Sequence, residues 1–335
     1  MKSNNFLLAS SLSLILVFTY SCDDASNSGP TVSGSVTYWD GTVNISWYNE
    51  SASEFTISTP EQLAGFSRLV NTGHNFRGKT VKLGANIILN DTANWRNWGN
   101  HRPANEWIPI GNYINENKMT NFQGIFDGNN FTISGIYINY NYNSNIAHTG
   151  FFGCLFSDGI IKKLGVTASY IKNGYYVGGL AGANGMVNSG GKIGGEISNS
   201  YFIGIVDGDY SSGGLVGQNT GKISNSYSAG MVLIGGGLVG TNYGLISNSY
   251  SISTVLAGGG LAWENKKFDD YVGTIINSYY DSQTSGQSDT GKGDGKTTAE
   301  MKQKETFEGW DFTNVWGISN AINGGYPYLL ENPPH

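Results

Sequence analysis

The chain contains 335 residues, of which 13% are charged, and its formal net charge is -6. Because its few basic residues form no patch, the composition argues against nucleic acid as a partner. The 49 glycines, 7 prolines and 13% aromatic residues favour a packed protein with many tight turns over a collagen-like or disordered chain.

Residues 1–21 have the pattern of a signal peptide. Lys2 precedes an apolar and serine-rich run at 6–18 that is too short to span a membrane as a helix. The segment 19–22 reads Thr-Tyr-Ser-Cys and resembles the lipobox of bacterial lipoproteins, although Thr19 stands where leucine is usual. An ordinary secretory signal that happens to be followed by a cysteine is the alternative.

The lipobox resemblance implies that Cys22 is lipidated and anchors the protein in a Gram-negative outer membrane. Each buried CH₂ of an acyl chain stabilises such an anchor by ~0.8 kcal/mol. The acidic pair after Cys22 resembles the export tag of lipoproteins that face the cell surface. If Cys22 is acylated, Cys154 has no disulfide partner, and its apolar neighbours favour a small buried side chain over a nucleophile.

Residues 22–34 are rich in Ser, Asn, Asp and Gly and are predicted to form a flexible tether. The region 35–110 is predicted to hold a short hairpin around Asp40-Gly41, one helix and the first coils of a repeat structure. The helix is expected over 59–72, because Thr59, Pro60 and Gln62 form a start signal and Gly73 a stop. Its apolar stripe would cover the N-terminal end of the repeats.

An insertion at 91–106 carries aromatic side chains among Asn and Arg, and tyrosines follow near 140. Two interpretations are open. The aromatic rings either cover a coil surface, or they form flat faces on which a sugar stacks. The candidate ligand contacts are Trp95, Trp98, Trp107, Tyr140 and Tyr142.

The region 111–280 is built from a repeated phrase. Residues 213–228 and 236–251 match each other at an offset of 23 residues, and variants of the phrase begin at Gly178 and Gly259. Short apolar runs between Gly and Asn indicate short strands, and units this short must stack to bury their apolar faces. The sequence therefore predicts an all-β fold, a parallel β-helix whose insertions at 183–195 and 263–272 leave one corner.

Identical residues in one phase of the repeat are expected to stack. Asn225 and Asn248 are predicted to form part of an amide ladder at a turn, and Tyr227 and Tyr250 part of a stacked column. The alternative is a regular binding stripe. The repeated glycines are interpreted as turn positions with positive φ. The structural repeat residues are Gly214, Leu215, Gly217, Asn225, Tyr227, Gly237, Leu238, Gly240, Asn248 and Tyr250.

Residues 281–335 are predicted to form a mobile loop over 281–296 and then a C-terminal cap. Thr297 and Glu300 form a second capping-box pattern before a short helix. The aromatic residues that follow, from Trp310 to Tyr328, are expected to close the C-terminal end of the coils.

The phrase Gly-Gly-Leu-Val-Gly-x-Asn-x-Gly-x-Ile-Ser-Asn-Ser-Tyr-Ser resembles the GLUG repeat of bacterial surface proteins. The flanks at 55–63 and 297–329 are similar to those of that family as well, so the resemblance covers nearly all of 35–330. It implies a right-handed β-helix at a bacterial surface, as in adhesin-like proteins and the non-catalytic part of some IgA-cleaving metallopeptidases. It implies no activity for the repeat.

The sequence offers little for catalysis. None of the four histidines stands next to a glutamate, so the His-Glu-x-x-His zinc motif of those metallopeptidases is missing. The densest acidic pairs, Asp207 with Asp209 and Asp269 with Asp270, lie in predicted turns, where Asp is common for backbone reasons. The segment 289–294 only weakly resembles a calcium loop. We therefore expect no catalytic residue, no metal and no cofactor.

These observations favour a lipid-anchored, non-enzymatic surface protein that binds a glycan or a host or microbial surface protein. Two alternatives remain open at this point. One is a polysaccharide-active enzyme that uses Asp207 or Asp209. The other is a structural spacer without a specific ligand.

Overall fold

The computed structural model describes residues 38–115, 118–140, 146–188, 191–268 and 271–334. The predicted signal peptide, the tether, Cys22, Tyr142 and the pair at 269–270 lie outside these ranges. Most of the described strands belong to three parallel sheets.

Sheet A consists of Glu54–Ile57, Thr80–Leu83, Ile125–Asp127, Ile160–Lys162, Glu196–Ser198, Lys222–Ser224, Leu245–Ser247 and Thr274–Ile276. Sheet B consists of Ile87–Ile88, Thr132–Ser134, Tyr137–Asn139, His148–Thr149, Gly165–Asn173, Tyr176–Gly178, Tyr201–Gly208, Ser212–Gly213, Tyr227–Gly236, Tyr250–Gly259, Tyr279–Asp281 and Asp294–Lys296. Sheet C consists of Phe152–Leu155, Ala181–Asn184, Val216–Asn219, Val239–Asn242 and Ala262–Asn265.

The remaining elements are short. Helix α1 is Pro60–Asn71 and helix α2 is Ser282–Ser285. The 3-10 turns are Trp95–Asn97, Glu300–Lys302, Lys304–Thr306 and Asn323–Gly325. Antiparallel hairpins pair Asn112–Asn115 with Lys118–Thr120, Met186–Asn188 with Gly191–Ile193, Lys267–Phe268 with Tyr271–Val272, and Trp316–Gly317 with Tyr328–Leu329.

The strand register follows the sequence repeat. The chain passes from sheet A to sheet B to sheet C, and each repeat lies parallel to the one before it. Ile223 pairs with Ile246, and Tyr227 pairs with Tyr250. The described chain is thus mostly β-strand with few helices, which confirms the all-β prediction.

The repeated leucines and isoleucines fill the interior. Leu215, Leu238, Ile223 and Ile246 are fully buried. Ile275, the equivalent of Ile246 in the last repeat, is partly buried. Burying one such side chain contributes about 1.5–3 kcal/mol.

The prediction of positive φ for the repeated glycines is wrong at Gly214, Gly217, Gly237 and Gly240, which are not among the glycines with positive φ. They are required by close contact instead. A Cβ atom on Gly214 would lie 2.2 Å from the carbonyl oxygen of Gly237, the equivalent glycine of the next repeat. Stacked backbones therefore leave no room for a side chain at these positions.

An asparagine ladder exists, but in a different phase of the repeat from the predicted one. Asn184 donates its amide to Asn219 at 2.9 Å, Asn219 to Asn242 at 2.8 Å, and Asn242 to Asn265 at 2.9 Å. Asn225 and Asn248 instead occupy turns with φ of 47°. Asparagine tolerates this left-handed conformation better than most residues, which explains its recurrence there.

The predicted tyrosine column is confirmed. Tyr201, Tyr227 and Tyr250 stack with ring centroids 4.9 Å apart and nearly parallel planes. All three are buried, because Met301, Phe307, Trp310, Trp316 and Leu329 of the C-terminal segment pack against the column.

The position of this segment differs from the prediction that it closes the end of the coils. It runs along the flank of sheet B. Trp310 donates to the carbonyl of Asn277 at 2.8 Å in the last repeat, whereas Glu331 pairs with Lys163 at 2.6 Å near the first repeats. The aromatic column needs a cover, and the aromatic C-terminal residues provide it.

Residues 281–296 were expected to form a mobile loop, but they cover the last repeat. Asp294–Lys296 adds a strand to sheet B, and Lys292 donates to the carbonyl of Trp263 at 2.9 Å. The capping box that follows is confirmed, since Thr297 N–H donates to Glu300 at 2.8 Å and Glu300 N–H to Thr297 at 3.2 Å.

At the other end of the repeats, helix α1 begins after Thr59, as predicted. The side chain of Thr59 accepts a hydrogen bond from the N–H of Gln62. Leu63, Phe66 and Val70 join the main core. The predicted hairpin around Asp40 is wrong. Residues 38–53 contain no strand, and Asp40 instead closes a local turn by accepting from Thr42 N–H at 2.9 Å.

Replacing Asn219 with alanine should lower the free energy of unfolding by about 2–5 kcal/mol, since it leaves the amides of Asn184 and Asn242 buried without their ladder partner. Urea unfolding followed by circular dichroism measures this. Asn225→Gly is the matched control, because glycine adopts its positive φ, and it should change the stability by less than about 1 kcal/mol. Equal losses in the two variants would contradict the assignment of the ladder.

The buried Asp281 makes the attachment of the C-terminal segment depend on pH. Burial opposes its ionisation, but hydrogen bonds from Thr284 N–H, Tyr326 and Thr298 hold its pKa below the ordinary 3.8. The ionised form is therefore favoured in the folded state, and its contribution to stability is lost as the pH falls through the lowered pKa.

We expect the melting temperature of the wild type to fall below pH 4 more steeply than that of Asp281→Asn, and the variant to be less stable at neutral pH. Thermal melts across that pH range measure both effects. Parallel acid profiles for the two proteins would show that Asp281 is not the responsible group.

Candidate binding groove

A shallow groove crosses the strands of sheet A at their first residues. Two cavities, of about 720 and about 380 Å³, share the lining residues Asp158 and Ile160 and therefore form one groove. Successive strand starts line it, namely Thr80, Ile125, Ile160, Glu196, Lys222 and Leu245.

The repeat itself builds this groove. Five inter-strand steps separate Thr80 from Leu245, and at about 4.8 Å per step the groove is about 24 Å long. Residues at the centre of each strand, such as Phe126 and Ile197, point into the core, so the first residues face outward. The turns from sheet C to sheet A, including Gly194 and Gly221, form the other wall.

Hairpins leave the fold at the same corner. The hairpin from Met186 to Ile193 connects a strand of sheet C to the sheet A strand that begins at Glu196. The hairpin from Lys267 to Val272 makes the same connection in the last repeat, where it joins the sheet C strand Ala262–Asn265 to the sheet A strand Thr274–Ile276. The prediction that the insertions leave one corner agrees with this connectivity.

Charges of both signs line the groove in exposed ion pairs. Arg77 lies 2.7 Å from Asp158, and Lys222 lies 3.6 Å from Glu196. Exposed pairs of this kind contribute at most about 1 kcal/mol to stability, so they remain available to a partner. Between them, Ile125, Ile160 and Leu245 supply apolar surface.

This groove was not found from the sequence. Its lining residues are single outward positions in short strands, and they come together only through the register of sheet A. The one available signal is the residue that precedes each buried strand centre, as in Lys222-Ile223 and Leu245-Ile246.

The predicted ligand-contact tryptophans are not exposed. Trp95, Trp98 and Trp107 have exposed fractions of 9%, 3% and 1%. Trp95 and Trp98 pack with Tyr137 and Tyr170 on the outer side of sheet B, and Tyr140 is half-buried. The structure therefore supports the covering role of the insertion and corrects the expectation of open stacking faces.

Of the acidic residues considered for catalysis, Asp207 is engaged in structural contacts, and Asp209 is exposed. Asp207 accepts from Tyr170 and from Lys172, both at 2.8 Å. Burial and the hydrogen bond to Asp207 raise the pKa of Tyr170. Asp289, in the segment that resembles a calcium loop, accepts from Gly260 N–H at 2.9 Å and pairs with Lys292. Among the described residues, no group of three or more His, Cys, Asp or Glu could hold a metal ion.

Cys154 and His148 are both buried in the interior. Burial raises the pKa of the Cys154 thiol to about 12 and lowers the pKa of His148 to about 4. Both are therefore uncharged at neutral pH, and the thiol behaves as the small buried side chain expected from its apolar neighbours.

Comparisons with known proteins show the fold and leave the family open. No family model matches the chain. The fold is similar to the crystal structure of "a putative immunoglobulin A1 protease from Bacteroides ovatus", with a TM-score of 0.53, 17% identity and coverage of 83% of this chain and 93% of that one. At this identity the likeness concerns the fold alone.

A 50-residue stretch is 58% identical to a protein of Evansella cellulosilytica named "Putative Gly-rich membrane protein". The match covers 14% of this chain and 6% of that protein, so this chain spans a small part of its relative. Among the described residues, no helix is both long and apolar enough to cross a bilayer.

Replacing Trp98 with alanine should destabilise the fold by about 3–5 kcal/mol, because its indole packs edge-on against Tyr137 at 5.9 Å in a buried cluster. Urea unfolding measures the loss. Arg96→Ala, at an exposed position of the same 3-10 turn, is the control and should cost far less. A fully stable Trp98→Ala protein would contradict the covering role.

Proposed function

We propose that this protein is a non-catalytic, lipid-anchored surface protein that binds an extended segment of a partner protein along the groove on sheet A. The observation that carries the proposal is that the groove continues across six strand starts. It is lined by positive and negative side chains in exposed ion pairs, with apolar residues between the pairs.

We further propose that the three sheets close into a right-handed parallel β-helix of the GLUG type. The chain's regular passage from sheet A to sheet B to sheet C supports this architecture, as does the pairing of equivalent residues one repeat apart. The family assignment rests on the repeated phrase and its flanks.

The chemistry of the groove favours a polypeptide over a sugar chain. Its length of about 24 Å matches about seven residues of an extended peptide at about 3.3 Å each. Isoleucine and leucine side chains offer contacts to apolar side chains, while Arg77, Asp158, Glu196 and Lys222 offer partners for charges of either sign. Among the described residues that line the groove, none carries an aromatic ring on which a sugar could stack.

The location at an outer membrane is part of the proposal. The signal-peptide pattern, the lipobox resemblance at Cys22 and the acidic residues that follow support it. The name of the Evansella cellulosilytica relative, a membrane protein, is consistent with it.

The proposal is tested with an array of extended peptides of varied charge, probed with the purified protein. We expect saturable binding to a subset that alternates apolar and charged residues. Lys222→Glu places a second carboxylate beside Glu196, and Arg77→Glu does the same beside Asp158. Each variant should weaken binding of the selected peptides by about tenfold and alter its salt dependence.

Lys304→Glu makes the same charge change on the C-terminal segment and is the matched control. It should bind like the wild type. Peptides that bind all variants equally, or no peptide binding at all, would contradict the groove assignment. A parallel array of glycans, checked for cleavage, distinguishes a non-catalytic binding protein from a polysaccharide-active enzyme, because only the enzyme would cleave the glycans.

A further inference from the structure

A second, smaller pocket lies at the base of the insertion 91–106, apart from the groove. Its volume is about 260 Å³, and Tyr38, Trp39 and Trp98 line it together with polar residues of the insertion. It suits one sugar ring and is too small for a folded partner.

The aromatic lining of the pocket is held rigidly. Trp98 packs edge-on against Tyr137 at 5.9 Å, and Trp39 packs against Trp107 at 6.0 Å. The Trp39 indole N–H also donates to the carbonyl of Thr42 at 2.8 Å. Trp39 and Trp98 are only 8% and 3% exposed, so they form a fixed floor, and the ring of Tyr38 is the aromatic face open to a ligand.

Asparagine side chains join the walls. Asn90 accepts from Asn105 N–H at 2.9 Å and donates to the Asn105 carbonyl at 2.8 Å, which closes the base of the insertion. The amide of Asn105 donates to the carbonyl of Trp39 and so links the two sides of the pocket. These amides have a structural role, and the rim supplies the groups for a ligand.

The rim is polar and exposed. Asp91, Asn94, His101 and Arg102 line the pocket and are exposed to solvent, and Tyr38 is 40% exposed. Arg102 pairs with Glu106 at 3.2 Å, so its charge is largely balanced. The rim thus offers amide, imidazole, carboxylate and phenol groups with no strong net charge.

We propose that this pocket binds a single neutral pyranose, the terminal residue of a glycan. Small sites of this kind combine aromatic walls with a few fixed polar groups that orient the ligand. The apolar face of the sugar would lie on the ring of Tyr38, and its hydroxyls would meet Asn94 and His101. The site is separate from the groove and does not depend on the peptide-binding proposal.

The test uses the full protein and a panel of neutral methyl pyranosides, including glucoside, galactoside, mannoside and N-acetylglucosaminide, observed by saturation-transfer NMR and titrated by calorimetry. We expect saturable binding of at least one sugar. Asn94→Ala and His101→Ala should each weaken it by about threefold to tenfold through loss of one hydrogen bond.

Asn100→Ala, exposed in the same insertion but outside the pocket lining, is the matched control and should bind like the wild type. Circular dichroism and melting temperature check that each variant is folded. Absence of saturable binding to every sugar would overturn the proposal. Sugar binding that neither Asn94→Ala nor His101→Ala weakens relative to the control would overturn it as well.

Discussion

The stacking of equivalent residues one repeat apart is the constraint on which the structure depends. The buried amide ladder from Asn184 to Asn265 joins four repeats, and it forms only when each repeat lies in register with the last. A buried amide without a partner costs about 1–3 kcal/mol, so a slip in register is penalised at every step. Glycines such as Gly214 are required by the same close stacking. The regular row of outward residues that makes the groove follows from this register.

The sequence predicted the features that repeat and missed those that depend on which face a repeated residue occupies. The period revealed parallel stacked strands and the tyrosine column, because identical residues at a fixed offset must align in such a stack. It placed the ladder on Asn225 instead of Asn219, since both asparagines recur in the four copies of the phrase that begin at 178, 213, 236 and 259. Only the backbone separates them, through the positive φ of Asn225. The helix at 60–71 could be predicted from the sequence, because its capping residues are close to it in the chain.

The non-repeating parts were harder to predict, because their contacts are distant in sequence. The segment from Trp310 to Glu331 follows the flank of sheet B back to Lys163 instead of ending at the last coil. The tryptophans of the insertion are likewise buried by partners from later turns, such as Tyr137 and Tyr170. The groove lies on the side that neither segment covers. These two aromatic segments cover parts of sheet B, and neither of them lines the groove on sheet A.

Hydrogen-deuterium exchange of the protein, free and saturated with a peptide selected from the array, shows whether the groove on sheet A is the binding surface. If it is, we expect protection confined to the groove-lining stretches, near residues 77–80, 123–125, 157–160 and 194–196, and in the turn at 220–222. Protection along sheet B or at the C-terminal segment, with the groove unchanged, would contradict it.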